Sequence, residues 1–318
     1  MWWWGSQRHD PEFDEFLNHP WERMIRESGS LRSVVTPHVR CGVFSMQFLE
    51  YLMSARSWLT ASAFTVAAVT LAGCAQLAPE PTDAAVAESA HWSYDGENGP
   101  ASWGAVDSSF AACAAGTKQS PIDLPLTVPV TSTSIDLAVQ DVDGDVFDTG
   151  HAVEVETDGE GETLTFAGDE YSLQQMHAHV PSEHTVAGRP AAAELHLVHT
   201  DVAGNLLVLG ILVSEGEASE ALVPFIEAAT HVADKDQVAL DVAAVLPASL
   251  ENYEYSGSLT TPPCTEGVQW VVMSTTITMS AEQIRTLEDV HSDNARPTQP
   301  LGGRTVVGGT GEVFQIAG

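Results

Sequence analysis

"QQMHAHVPSEHTVAGRPAAAELHLVHTD", Gln174 to Asp201, holds five of the chain's 12 histidines. Its alternation of apolar and polar residues reads as two strands joined by a Pro- and Gly-containing connection. Residues two apart on a strand face the same side, so His177 and His179 converge. In "AELHLVHT" the same rule puts Glu194, His196 and Val198 on one face and turns His199 to the other. Two neighbouring strands can thus present three imidazoles to one point, the ligand count of a zinc ion that keeps its fourth position open. Glu194, two residues before His196, can fix that ring's tautomer as an outer acceptor. His184 and His199 fall outside the pattern and read as hydrogen-bonded structural histidines. An exposed polar strand face also produces His-x-His without any metal, so spacing alone leaves both readings open.

The surrounding sequence is of the same kind. "HAVEVET", "ETLTFAG", "NLLVLGILVS" and "VQWVVMSTTITM" are alternating or β-branched runs bounded by Gly, Asp and Pro. Two stretches carry helical spacing: "SEALVPFIEAATHV", despite Pro224, and "SAEQIRTLEDV", with Ser280 as N-cap. From His91 onward no linker interrupts these signals. Residues 91–318 therefore read as one β-dominated α+β domain with peripheral helices.

The N-terminal part differs. "WLTASAFTVAAVTLA", Trp58 to Ala72, is apolar, too short for a comfortable membrane span, and runs into Leu71-Ala72-Gly73-Cys74. That ending resembles a bacterial lipobox, which implies lipidation of Cys74 and export. Residues 53–73 are then the signal peptide, 74–90 the lipidated cysteine with an Ala- and Pro-rich tether, and 1–52 an overextended start or an unexplained segment. The tether can reach roughly 50 Å from a membrane at full extension. In an oxidising compartment the two remaining cysteines of the mature chain, Cys113 and Cys264, are expected to pair. The 44 acidic residues against 12 Lys and Arg, a net charge of -32, disfavour nucleic acid and anionic membrane faces as partners. Membrane attachment is expected through the lipid alone, on the outer face of the cytoplasmic membrane or in the periplasm.

Several motifs occur in a fixed order: "HWSYDGENGPASWG" from His91, "QSPIDL" from Gln119, "QMHAH", "SEHTV", "AAELHLVH", "YSGSLTTPPC" ending at Cys264, "NARPTQP" from Asn294, and "LGGRTV". Together they resemble the alpha class of carbonic anhydrases, in its bacterial form, across the whole of residues 91–318. The resemblance implies a large, central, mostly antiparallel twisted sheet. It also implies reversible hydration of carbon dioxide to bicarbonate and a proton, with one Zn2+ per chain and sensitivity to sulfonamides and anions.

Carried onto these positions, the resemblance makes His177, His179 and His196 the zinc ligands, with Gln175, Glu194 and the Asn294 carbonyl orienting them. Zinc then makes hydroxide available from water at neutral pH, the known case of carbonic anhydrases. Thr260 and Glu183 match the pair that orients the hydroxide, Glu183 accepting and Thr260 donating. Val198, Val208, Leu259, Thr261 and Trp270 match the carbon dioxide site, and His151 in "DTGHAVEV" matches the proton shuttle. Thr149 and Glu154 depart from the family, standing where amides order the water chain. The alternative is a noncatalytic zinc-binding or surface-binding module on the same fold. A zinc store is the third possibility, and it has no use for the Thr260, Glu183 and His151 positions.

Overall fold

The computed structural model describes residues 91–232 and 237–315. The start at 1–52, the signal peptide at 53–73, and Cys74 with its tether lie outside the described residues. Within them are strands β1 (Asp123–Leu124), β2 (Val130–Val139), β3 (Val142–Asp148), β4 (Val153–Thr157), β5 (Thr163–Phe166), β6 (Asp169–His179), β7 (Thr185–Val186) and β8 (Arg189–Pro190). The strands continue with β9 (Ala193–Asp201), β10 (Leu206–Glu215), β11 (Gln237–Leu240), β12 (Asn252–Ser258), β13 (Glu266–Met273), β14 (Ile277–Met279) and β15 (Val307–Gln315). Short helices α1 (Trp103–Val106), α2 (Ala111–Ala115), α3 (Val223–Ala229), α4 (Val242–Val245) and α5 (Ala281–Val290) lie between them.

Twelve strands form one sheet. Its centre is the run β4, β6, β9, β10, β13, β12, with β3 and β11 beyond β4, β15 beyond β12, and β14 beside β10. Strands β2 and β5 lead from β15 back to β6. All its ladders are antiparallel except β10 with β13 and β14, and β15 with β2. Pairs β1–β7 and β7–β8 make a small second sheet.

Strand β10 shows why its sequence is almost continuously apolar. Leu207, Leu209, Ile211 and Val213 enter a core closed by Phe225 and Ile226 of α3 and Leu287 of α5. The alternate residues Val208 and Leu212 join Ile122, Tyr255, Trp270 and Val272 in a second cluster. A strand buried on both faces has no position where a polar side chain reaches water. In β3, by contrast, Val142 and Val146 are buried while Asp143 and Asp145 are exposed, the pattern of a half-wet strand.

Both expected helices form, one shorter than its pattern. Helix α3 starts only at Val223, with Pro224 in its first turn, where a missing N–H leaves no intrahelical bond unmade. In α5, Ser280 Oγ accepts from Gln283 N at 3.2 Å while Gln283 Oε1 accepts from Ser280 N at 3.1 Å, a reciprocal capping box. The run "VQWVVMSTTITM" is a correction, since it divides into β13 and β14. Ser274 donates from its N–H (2.8 Å) and its hydroxyl (2.9 Å) to Glu251 O, which pulls the chain out of the first ladder.

Cys113 of α2 and Cys264 are disulfide-bonded across a sequence separation of 151. The link ties the N-terminal helices to the loop after β12, where Gln119 Nε2 also donates to Cys264 O at 3.0 Å. Closing so long a loop removes about 5 kcal/mol of denatured-state entropy in the chain-entropy treatment. Replacing both cysteines by serine is expected to lower the unfolding midpoint in urea markedly, and reductant should reproduce the shift in the parent protein but not in the variant.

Candidate metal centre

Register brings the histidines together. In the β6–β9 ladder His177 lies opposite His196, His179 opposite Glu194, and Gln175 opposite Val198, so all six side chains leave the same face. From β4, Glu154 lies opposite His177. The ring nitrogens then meet: His177 Nε2 is 3.0 Å from His179 Nε2 and 3.2 Å from His196 Nδ1.

Their outer nitrogens fix the tautomers. His177 Nδ1 donates to Gln175 Oε1 at 2.7 Å, His179 Nδ1 to the Asn294 carbonyl at 2.6 Å, and His196 Nε2 to Glu194 Oε1 at 3.0 Å. Each partner is an acceptor, so each ring carries its proton on the outer nitrogen and turns a lone pair inward. Three lone pairs facing one another without a proton between them are repulsive. A cation with tetrahedral preference and nitrogen affinity relieves that repulsion, and zinc–nitrogen bonds of about 2.0–2.1 Å imply nitrogen separations close to those seen. The donor set therefore fits zinc.

Electrostatics agree with neutral ligands on β6. Burial, with His179 and His196 adding to it, holds the His177 pKa well below the ordinary imidazole value, and burial lowers that of His179. At His196 burial also opposes the charged ring, but the Glu194 carboxylate outweighs it and the net shift is upward. Burial works against the Glu194 charge in turn, yet His184 and His196 together hold its carboxyl well below the usual range.

Glu194 is satisfied completely. Its Oε1 accepts from His184 Nδ1 (2.7 Å) as well as His196, and its Oε2 accepts from the His184 backbone N–H at 2.8 Å. His184 Nε2 meets Tyr255 Oη at 2.6 Å, and Tyr255 donates onward to Ser120 Oγ at 2.9 Å. The room for this carboxylate comes from Gly210 on β10, opposite His196. A Cβ at Gly210 would lie 2.9 Å from Glu194 Oε1 and 3.4 Å from Val272.

The sequence assigned His184 a structural role and left it outside the site; it is structural, but its partner is the carboxylate that orients His196. No spacing signal could have found this, because the pairing depends on how the connection after β6 folds back. His199 does stay apart, its Nε2 donating to buried Glu162 Oε2 at 2.9 Å.

Glu183 and Thr260 are both buried, but they are not hydrogen-bonded to each other. Glu183 Oε1 accepts from Arg296 N at 2.9 Å, whereas Oε2 has no donor and lies 3.6 Å from His179 Nε2. Val198, Val208 and Trp270 stand in register on β9, β10 and β13, and Leu259 packs in the same cluster. Thr261, half-buried, accepts from Cys264 N through its carbonyl at 2.8 Å.

His151 sits in the β3–β4 turn, stacked on Trp92 with ring centroids 3.6 Å apart and 18° between planes. Burial foremost, then His91 and His291, pulls its pKa down to about 4. Thr149 closes the turn, its Oγ1 donating to Ala152 O at 2.9 Å. Glu154 is buried beside the His177 position.

The sequence pattern of eukaryotic-type carbonic anhydrases matches residues 98–309. The chain belongs to that family. The carbonic anhydrase of Pectobacterium atrosepticum is 37% identical over 228 residues, covering 70% of this chain and 93% of the relative. That of Nostoc sp. is 38% identical over 235 residues, covering 71% and 89%. Among solved structures, the alpha-carbonic anhydrase of Thermovibrio ammonificans, in complex with the inhibitor sulfanilamide, is similar with a TM-score of 0.64 and 35% identity, covering 69% of this chain and 100% of that one.

Gly210→Ala tests the carboxylate cradle. The added methyl should displace Glu194 and weaken zinc binding by about tenfold or more, the usual effect of disturbing an outer partner of a ligand histidine. Competition against a chelator measures it, and an unchanged affinity would show that the close approach at Gly210 does not matter.

Proposed function

We propose that this carbonic anhydrase hydrates carbon dioxide at one zinc ion held by His177, His179 and His196. The observation that carries the reading is the convergence of three imidazole lone pairs whose outer nitrogens all face acceptors. Bound there with an open fourth position, zinc would lower the pKa of water into the neutral range, as is known for carbonic anhydrases.

The chain's own residues supply the rest. Gln175, Glu194 and the Asn294 carbonyl keep the ligand protons on the outer nitrogens. Glu183, ionised, can only accept, and its Oε2 lacks a donor; the Thr260 hydroxyl is assigned to that place. Once it donates to Glu183, Thr260 must accept from the oxygen nucleophile, which turns a lone pair of that oxygen toward the substrate. Carbon dioxide, small and nonpolar, is matched by the apolar row of Val198, Val208 and Trp270 with Leu259, and Thr261 stands in the following turn. His151 is assigned the relay of the released proton; in its stacked position burial disfavours the charged ring and lowers its pKa to about 4, so the proton it takes up is held only briefly and uptake is the costly step.

His196→Ala is expected to abolish stoichiometric zinc binding and reduce stopped-flow carbon dioxide hydration to near the uncatalysed rate, whereas the parent should be inhibited by a sulfonamide. A zinc-loaded parent no faster than the variant would favour a noncatalytic module.

The reading places the enzyme outside the cytoplasm, on a lipid anchor at Cys74 after removal of residues 53–73. The apolar run ending in Leu-Ala-Gly-Cys and the Cys113–Cys264 bond support it. Intact-mass analysis of the membrane fraction should give a mature chain beginning at lipidated Cys74; a mass that includes residues before Cys74 would overturn this assignment.

A further inference from the structure

The stacked His151 leaves proton export incomplete. A ring held on Trp92 and half-buried, whose charged form burial disfavours, is helped by a second acceptor on the rim. On the same rim, His291 follows α5 directly, and its Nε2 donates to Asp148 Oδ1 at 2.7 Å. The same oxygen accepts from Gly150 N at 2.8 Å, inside the turn that carries His151. A second tie joins the segments, since Asn294 Nδ2 donates to the His151 carbonyl at 3.1 Å while the Asn294 carbonyl holds His179. His151 and His291 are thus braced against each other and against the metal centre by short hydrogen bonds.

The His291 pair also has the chemistry of a proton acceptor. Asp148 fixes the proton of neutral His291 on Nε2, which leaves Nδ1 with a lone pair and no hydrogen-bond partner among the described residues. The hydrogen bond from His291, foremost, holds the Asp148 carboxyl below its ordinary range, so a counter-charge is in place when the ring becomes cationic. His91, with its ring centroid 6.3 Å from that of His151, adds a further imidazole to the rim. An open groove of about 420 Å3, lined by Asp148, Thr230, Thr286 and Asp289 among others, lies at the Asp148 side of the pair, and the His291 side chain itself is 19% exposed.

We propose that His291, held by Asp148, is a second proton-transfer residue of this enzyme, taking the proton that leaves the metal cleft by way of His151 and delivering it to solvent. As water and carbon dioxide become bicarbonate, one proton is released. It adds to His291 Nδ1, while the Nε2 proton stays bonded to Asp148, and a buffer base then removes it from Nδ1 to restore the neutral ring. His291 contacts neither substrate nor metal ligands, and acts only on the proton.

The proposal rests on the hydration reading above, and the two are separated by kinetics. In the zinc-loaded protein, kcat/KM for carbon dioxide reports hydration, whereas kcat in weakly buffered solution reports proton export. His291→Gln should lower kcat several-fold in weak buffer, leave kcat/KM unchanged, and recover with added imidazole; Asp148→Asn should show a smaller loss of the same kind. His151→Ala combined with His291→Gln should be no slower than His151→Ala alone if the two act in series. An unchanged kcat for His291→Gln in weak buffer would overturn the proposal while leaving hydration intact. An equal fall in kcat and kcat/KM that imidazole does not rescue would reassign His291 to a structural role, and an inactive parent would remove the hydration reading itself.

Discussion

The Glu194 carboxylate is the constraint around which the centre is built. A buried anion is tolerable only if its oxygens are matched by donors and its charge by nearby cationic or polarisable groups. Three donors meet it, from the His196 ring, the His184 ring and the His184 backbone. Meeting those needs forces three separate decisions: the connection after β6 folds back so that His184 faces β9, β10 carries no side chain at Gly210, and Tyr255 is placed to cap the far side of His184. The orientation of His196 is a result of this arrangement as much as of its own strand.

From that point the two faces of the sheet divide the work. One face is closed by α3 and α5 over a large apolar core. The other turns polar at β6 and β9 and apolar at β10 and β13. Hydration of carbon dioxide needs both characters within one cleft, a place for charge to develop and a dry wall for a molecule with no dipole. Arg296 stitches the rim to this face, donating to the Ser120 and Cys113 carbonyls at 2.7 and 3.2 Å and, through its backbone, to Glu183.

Much of this was legible in the sequence because it follows from local periodicity. His177 with His179, and Glu194 with His196, share faces by the two-residue repeat alone, and the α5 cap is written in Ser280 and Gln283. The pairing of Cys113 with Cys264 followed from elimination and compartment. What was not legible depends on chain closure. The break between β13 and β14 comes from Ser274 bonding Glu251 across a turn, and the partnership of His184 with Glu194 and Tyr255 joins three segments distant in sequence. The stacking of His151 on Trp92 brings the segment before α1 against a hairpin turn, and the fall in the ring's basicity comes from its burial, with His91 and His291 adding to it. Thr260 and Glu183 matched the family motif, yet their hydrogen bond is not made in this structure.

The proposed metal ligands come from two strands, β6 and β9, whose mutual alignment is set by the ladder between them. A slip of β6 by a single residue along β9 would reverse His177 and His179, sending both imidazoles toward the apolar core and Met176 and Ala178 toward the cleft. Zinc held by the three histidines would bind with full affinity to the correct register, so its binding free energy would be added to that register. The ion would thus serve as a proofreader of strand alignment during folding, besides any part it takes in chemistry.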